Sequence, residues 1–97
     1  MKRPFIFSLS LLVCSIMLLS SCGNSNQIRP GDSLEEAFDK AVALYDRERY
    51  GDAASSFETV ITIGRGTDIG EEAQFSLAES YYKTRQYLLA AAEYQRY

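Results

Sequence analysis

Of the side chains able to do chemistry, cysteine is scarce in this chain and histidine is missing. Cys22 stands in LLSSCGNSNQ (residues 18–27), where an apolar run stops and a polar run starts. The other cysteine, Cys14, lies inside the apolar run. Without histidine, neither a Cys/His nucleophile nor a mixed Cys/His metal site can be assembled. No carboxylate pair marks a pocket and no glycine-rich phosphate loop follows a strand; the GRG of residues 64–66 reads as a turn. The residues therefore predict no enzyme, no cofactor and no metal. The chemistry to explain is whatever happens to Cys22 at its boundary.

The residues before it supply a context. Lys2 and Arg3 form a basic start, Phe5 to Leu19 an apolar stretch, and Ser20 and Ser21 a small-residue end. This is the layout of a secretory signal over residues 1–21. A membrane span is the rival reading. The 15 residues of Phe5–Leu19 reach only about 22 Å as a helix, against a hydrocarbon core of about 30 Å, and Ser8, Ser10 and Ser15 dilute them. Removing the signal removes Cys14, which leaves Cys22 without an intramolecular disulfide partner. The stretch Leu19-Ser20-Ser21-Cys22 resembles the lipobox of bacterial lipoprotein signal peptides. The resemblance implies cleavage before Cys22, a diacylglycerol on its thiol and acylation of its new amino group. Two or three acyl chains on one residue anchor far more firmly than the marginal hold of one. The same resemblance puts Gly23 where an Asp would retain the protein in an inner membrane, so outer-membrane localisation is expected in a Gram-negative host, on the periplasmic side.

From Cys22 on there are 8 Lys+Arg (10 less Lys2 and Arg3) against 13 Asp+Glu, a net charge of −5. Nucleic acid is an unsuitable partner, since binding it requires clustered cations against phosphate. Nor is there a polybasic patch to help membrane attachment. Residues 22–32, the cysteine and GNSNQIRPGD, read as a flexible tether of about 17 Å average span. The ordered domain is expected over 33–97.

Ser33 and Glu36 form an S-x-x-E capping box. Apolar residues then recur at helical spacing: Leu34, Phe38, Ala41, Leu44 and Tyr45, followed after RERYGD by Ala53, Ala54, Phe57, Val60 and Ile61. GRGTDIG (64–70) is a loop, and Asp68 with Glu71 offers a second capping pair. A third helix is expected to about Thr84 and a fourth from about Tyr87. No segment alternates long enough for a strand. A shift of 37 residues superposes Glu35 on Glu72, Phe38 on Phe75, Ala41 on Ala78, Tyr45 on Tyr82, Tyr50 on Tyr87, Ala53 on Ala90, Ala54 on Ala91 and Phe57 on Tyr94. The fold class is therefore all-α, a solenoid of two helix hairpins.

In this register Ala41, Leu44, Ala53 and Phe57, and then Ala78, Tyr81, Ala90 and Tyr94, resemble the tetratricopeptide (TPR) pattern. The loop is about three residues longer than the 34-residue norm of the TPR, and Leu44 stands where the pattern has Tyr. With the lipobox and tether in front, the runs AFDKAVALYDRERYGDAASSFETVI (37–61) and EEAQFSLAESYYKTRQYLLAAAEYQRY (71–97) resemble the BamD (YfiO/ComL) family of outer-membrane assembly lipoproteins. The resemblance implies about five TPR repeats, with the present chain an N-terminal portion of them. It also implies binding to the proteins of the β-barrel assembly complex and to unfolded barrel substrates. A proline-containing loop of that family is replaced here by IGRGTDIG (63–70). Rival binding roles for a TPR lipoprotein are a secretin pilotin and a SusD-type nutrient-binding protein.

The TPR register turns Phe38, Val42, Tyr45 and Asp46 toward the concave groove, and with them Phe75, Glu79, Tyr82 and Lys83. Phe38, Tyr45, Phe75 and Tyr82 are the candidate peptide-gripping rings, since aromatic anchors dominate such contacts; Leu44 and Tyr81 are better core candidates. For the anchor, Cys22→Ala should leave an uncleaved precursor that takes up no fatty-acid probe. Continued cleavage and release of a soluble form would remove the lipoprotein reading.

Overall fold

The computed structural model describes residues 27–97. The expected signal peptide, the lipidated Cys22 and the tether as far as residue 26 lie outside the described residues. Four helices follow in order: α1 Leu34–Asp46, α2 Tyr50–Ile63, α3 Asp68–Lys83 and α4 Tyr87–Arg96. No strand occurs among the described residues. Each helix packs on the next, and α1 also touches α3, so α1/α2 and α3/α4 are two stacked hairpins of TPR-like arrangement.

Small residues let the helices approach. Among the described residues, seven of the eleven buried apolar ones are alanines: Ala37, Ala41, Ala53, Ala54, Ala73, Ala78 and Ala90. Leu44, Phe57, Val60 and Leu77 fill what remains. Phe57, on α2 between α1 and α3, is the largest fully buried side chain. Ser80 is buried too, its hydroxyl donating to the Ser76 carbonyl at 2.8 Å. Among the described residues no buried side-chain nitrogen or oxygen lacks a partner.

The 37-residue repeat holds down to backbone angles. Helices α1 and α3 both end in a Schellman turn. The Arg49 N–H reaches the Leu44 carbonyl and the Glu48 N–H that of Tyr45. In the second hairpin Gln86 reaches Tyr81 and Arg85 reaches Tyr82. The left-handed residue is Glu48 (φ 62°) in one turn and Arg85 (φ 63°) in the other. Neither is the glycine this position favours, because a Cβ there crowds the following carbonyl.

The connection between hairpins is built differently. Gly66 takes φ 81°, the conformation a glycine suits. Gly70 is buried in the first turn of α3 against the Gly64 carbonyl, where a Cβ would collide with backbone. The sequence placed a capping pair at Asp68 and Glu71. Instead Thr67 caps α3: its Oγ1 accepts from the Gly70 N–H at 3.0 Å and donates to the Gly64 carbonyl at 2.5 Å. One hydroxyl thereby satisfies both sides of the turn, which Asp68 could not do. Asp68 and Glu71 sit in the first turn, where the helix dipole favours their charge. At α1 the Ser33 arm of the expected capping box is present, its Oγ accepting from the Glu36 N–H at 3.1 Å, while the Glu36 side chain makes no return bond to Ser33.

The tether expected over residues 22–32 is folded from Gln27 onward. Ile28 packs against the core cluster. Arg29 to Asp32 form a turn with Pro30 in its second position, closed by the Asp32 N–H on the Arg29 carbonyl at 3.0 Å. Lys40 Nζ clamps this segment, donating to Asp32 Oδ2 at 2.6 Å and to the Gln27 carbonyl at 3.2 Å. The Arg29 N–H on Asp32 and the Lys40 ammonium hold the Asp32 carboxyl below its ordinary pKa. Composition suggested a coil because one Ile and one long-range ion pair carry the docking.

Glu48→Gly and Arg85→Gly should each stabilise the chain by about 0.5–1 kcal/mol, raising Tm by roughly 2–8 °C. Thermal melts of the two variants check this, and lower Tm in both would refute the strained-turn account.

Candidate functional site

The groove lies where α1 and α3 run side by side. Between them is a cavity of about 460 Å³ lined by Phe38, Asp39, Val42 and Tyr45 of α1, Phe57 of α2, and Glu72, Phe75, Ser76 and Glu79 of α3. The lining positions on α1 and α3 recur at three- and four-residue intervals, so each helix presents one face to it. The floor is apolar: Phe57 is fully buried and meets the ring of Phe38, their centroids 6.0 Å apart. The rim is acidic, with Asp39, Glu72 and Glu79, and no lysine or arginine lines the cavity.

Three of the four candidate rings therefore come together at one place. Phe38 and Tyr45 are half-buried and rest against the core, while Phe75 is 41 % exposed. Tyr82 does not line this cavity. It is 55 % exposed and pairs with Tyr87 across the α3–α4 turn, centroids 5.4 Å apart. Tyr45 pairs with Tyr50 in the same way at 5.1 Å. The two tyrosines are equivalent in the repeat, but Tyr45 has α3 beside it and no described helix takes that place beside Tyr82. Of the other groove candidates, Val42 and Glu79 line the cavity, whereas Asp46 and Lys83 do not.

The core candidates also separate. Leu44 is buried. Tyr81 packs against the core cluster, and its hydroxyl donates to Glu58 Oε1 at 2.7 Å. Burial, then that hydrogen bond, pushes the Tyr81 phenol up to about 12.

Tyr94 and Tyr97 are part of this region and were not legible as such. Phe75 is flanked by the rings of Tyr94 at 5.7 Å and Tyr97 at 5.2 Å. The Tyr94 hydroxyl donates to Glu79 Oε1 at 2.6 Å, fixing one rim carboxylate. Gln74 donates to Glu93 on the neighbouring helix. The one sequence signal for Tyr94 was its equivalence to Phe57, which meets Phe38 much as Tyr94 meets Phe75. Burial raises Tyr45, with the nearby Glu79 carboxylate adding to the effect.

The site thus sets an apolar floor beneath an acidic rim. Among the described residues, no group of three or more His, Cys, Asp or Glu side chains is placed to hold a metal ion. The chain matches no known family model and no curated protein.

The rim bond has a pH signature. Neutral Tyr94 donates to the Glu79 carboxylate; a deprotonated Tyr94 would repel it, and its pKa is accordingly pushed up to about 12. The stability from this bond is thus complete below the ordinary tyrosine value of about 10 and is lost as pH rises through about 12. Tyr94→Phe should flatten the dependence of Tm on pH in that window and remove one late-titrating phenol from the tyrosinate absorbance. Loss instead of a phenol that titrates at the ordinary value of about 10 would mean the bond is not formed in solution.

Proposed function

We propose that this protein is an outer-membrane lipoprotein of the β-barrel assembly machinery, held on the periplasmic side by lipid on Cys22. In this reading it acts without catalysis, as a TPR scaffold for assembly-complex proteins and unfolded barrel substrates. The observation that carries the reading is the cavity between α1 and α3, where Phe38, Tyr45 and Phe75 are gathered over an apolar floor. The Leu-Ser-Ser-Cys stretch at 19–22 supports the anchor. Barrel strands alternate apolar and polar residues and carry aromatic girdles. An unfolded strand therefore offers rings on extended backbone, and a groove with half-exposed rings offers them edge and face contacts.

Phe75→Ala should weaken binding of an aromatic-ended barrel strand peptide to the full chain roughly tenfold, equivalent to about 1.4 kcal/mol. Circular dichroism should be unchanged, since Phe75 is partly exposed. Tyr82→Ala should alter binding less than about twofold, whereas Tyr81→Ala should lower Tm. Equal, full binding by the Phe75 variant would remove the groove from the proposal.

A further inference from the structure

The two walls of the cavity differ from its floor in charge, and the difference specifies the occupant. The floor and sides are Phe38, Val42, Phe57 and Phe75, while Asp39, Glu72 and Glu79 stand around them without a lining cation. Glu79 already accepts a hydrogen bond from Tyr94. Asp39 and Glu72 are exposed and take part in none of the three salt bridges among the described residues. Lys40, the residue after Asp39, is committed to Asp32. Lys83 is the nearest helix-α3 cation to Glu79 and lies one turn beyond it, toward the end where Tyr45 sits. The lining carboxylates at the Asp39 and Glu72 end therefore have no cation partner among the described residues.

We propose that this cavity receives a peptide segment in which one aromatic or branched aliphatic side chain is flanked by lysine or arginine. The proposal deepens the peptide-binding reading above and rests on it. The apolar side chain enters between Phe38 and Phe75, removing their exposed surface from water. The adjacent cation meets Asp39 and Glu72, whose charges have no salt-bridge partner among the described residues to give up. An acidic flank would instead bring like charges to the rim. Because these carboxylates are exposed, the preference is modest and falls with salt. The net charge of −5 from Cys22 onward acts in the same direction, favouring encounter with cationic segments.

The test uses the full chain in detergent micelles and three fluorescent peptides of equal length, followed by anisotropy at low salt. One carries Phe between lysines, the second Phe between glutamates, the third Ala between lysines. The Lys–Phe peptide should bind about tenfold more tightly than the Glu–Phe peptide. That ratio should fall below about twofold in the double variant Asp39→Asn/Glu72→Gln, which alters only exposed side chains. If both Phe peptides bind alike, or the ratio survives in the double variant, the charge rule is overturned and the aromatic groove stands. Should Lys–Phe and Lys–Ala bind alike, or neither Phe peptide bind at all, the groove grips no apolar anchor and the reading beneath the proposal falls with it.

Discussion

Close approach of helices across alanine is the constraint on which the rest of this structure depends. Ala37, Ala41, Ala53, Ala54, Ala73, Ala78 and Ala90 are buried, and a larger side chain at any of them would push the helices apart. Alanine contributes little apolar area, so the seams set distance more than they supply burial. Most of the burial falls to Phe57, Leu44, Val60 and Leu77, and to rings at the edges of the seams that are only partly covered. Those edge rings are the ones that line the groove. The same economy that makes the core thin leaves Phe38, Tyr45 and Phe75 with surface to offer.

The connections show how two kinds of turn divide the labour. Within a hairpin, the Schellman turn reverses the chain in three residues and is braced by a tyrosine pair, Tyr45–Tyr50 or Tyr82–Tyr87. Between hairpins, Thr67 ties two backbone groups and Gly70 allows α3 to start against Gly64. The second kind fixes how α3 is laid beside α1, and hence the width of the cavity. A loop that lines none of the cavity thus positions the site.

Helix existence and pairing were legible because apolar residues recur at helical spacing and at a 37-residue shift. Features resting on one atom or one dihedral were not. RERY and TRQY contain no glycine, so the left-handed Glu48 and Arg85 leave no mark in the sequence. Asp68 and Glu71 have the spacing of a capping pair, but a hydroxyl that can donate as well as accept wins the position. The docking of residues 27–32 depends on Lys40, eight residues away from Asp32, and linker composition conceals it. For the candidate site, five of the eight positions that the register turned toward the groove, Phe38, Val42, Tyr45, Phe75 and Glu79, line the cavity. The register missed that a cavity requires two neighbouring first helices, which is why Tyr45 lines one and Tyr82 does not.

The cavity falls between repeats, and this has a consequence for specificity. Repetition reproduces backbone and ring positions: Phe38 and Phe75, Tyr45 and Tyr82, Glu48 and Arg85 all superpose by the same shift. Between those fixed points the lining side chains diverge, with Asp39 against Ser76 and Val42 against Glu79. Backbone regularity keeps the two helix faces in register, so a substitution at one of these points changes the chemistry of the groove without moving its walls. Phe57, buried beneath both faces, supports the apolar floor whatever the rim carries. Geometry is thus set by the positions that the hairpins share, and the chemistry of the cavity lining by positions at which they differ.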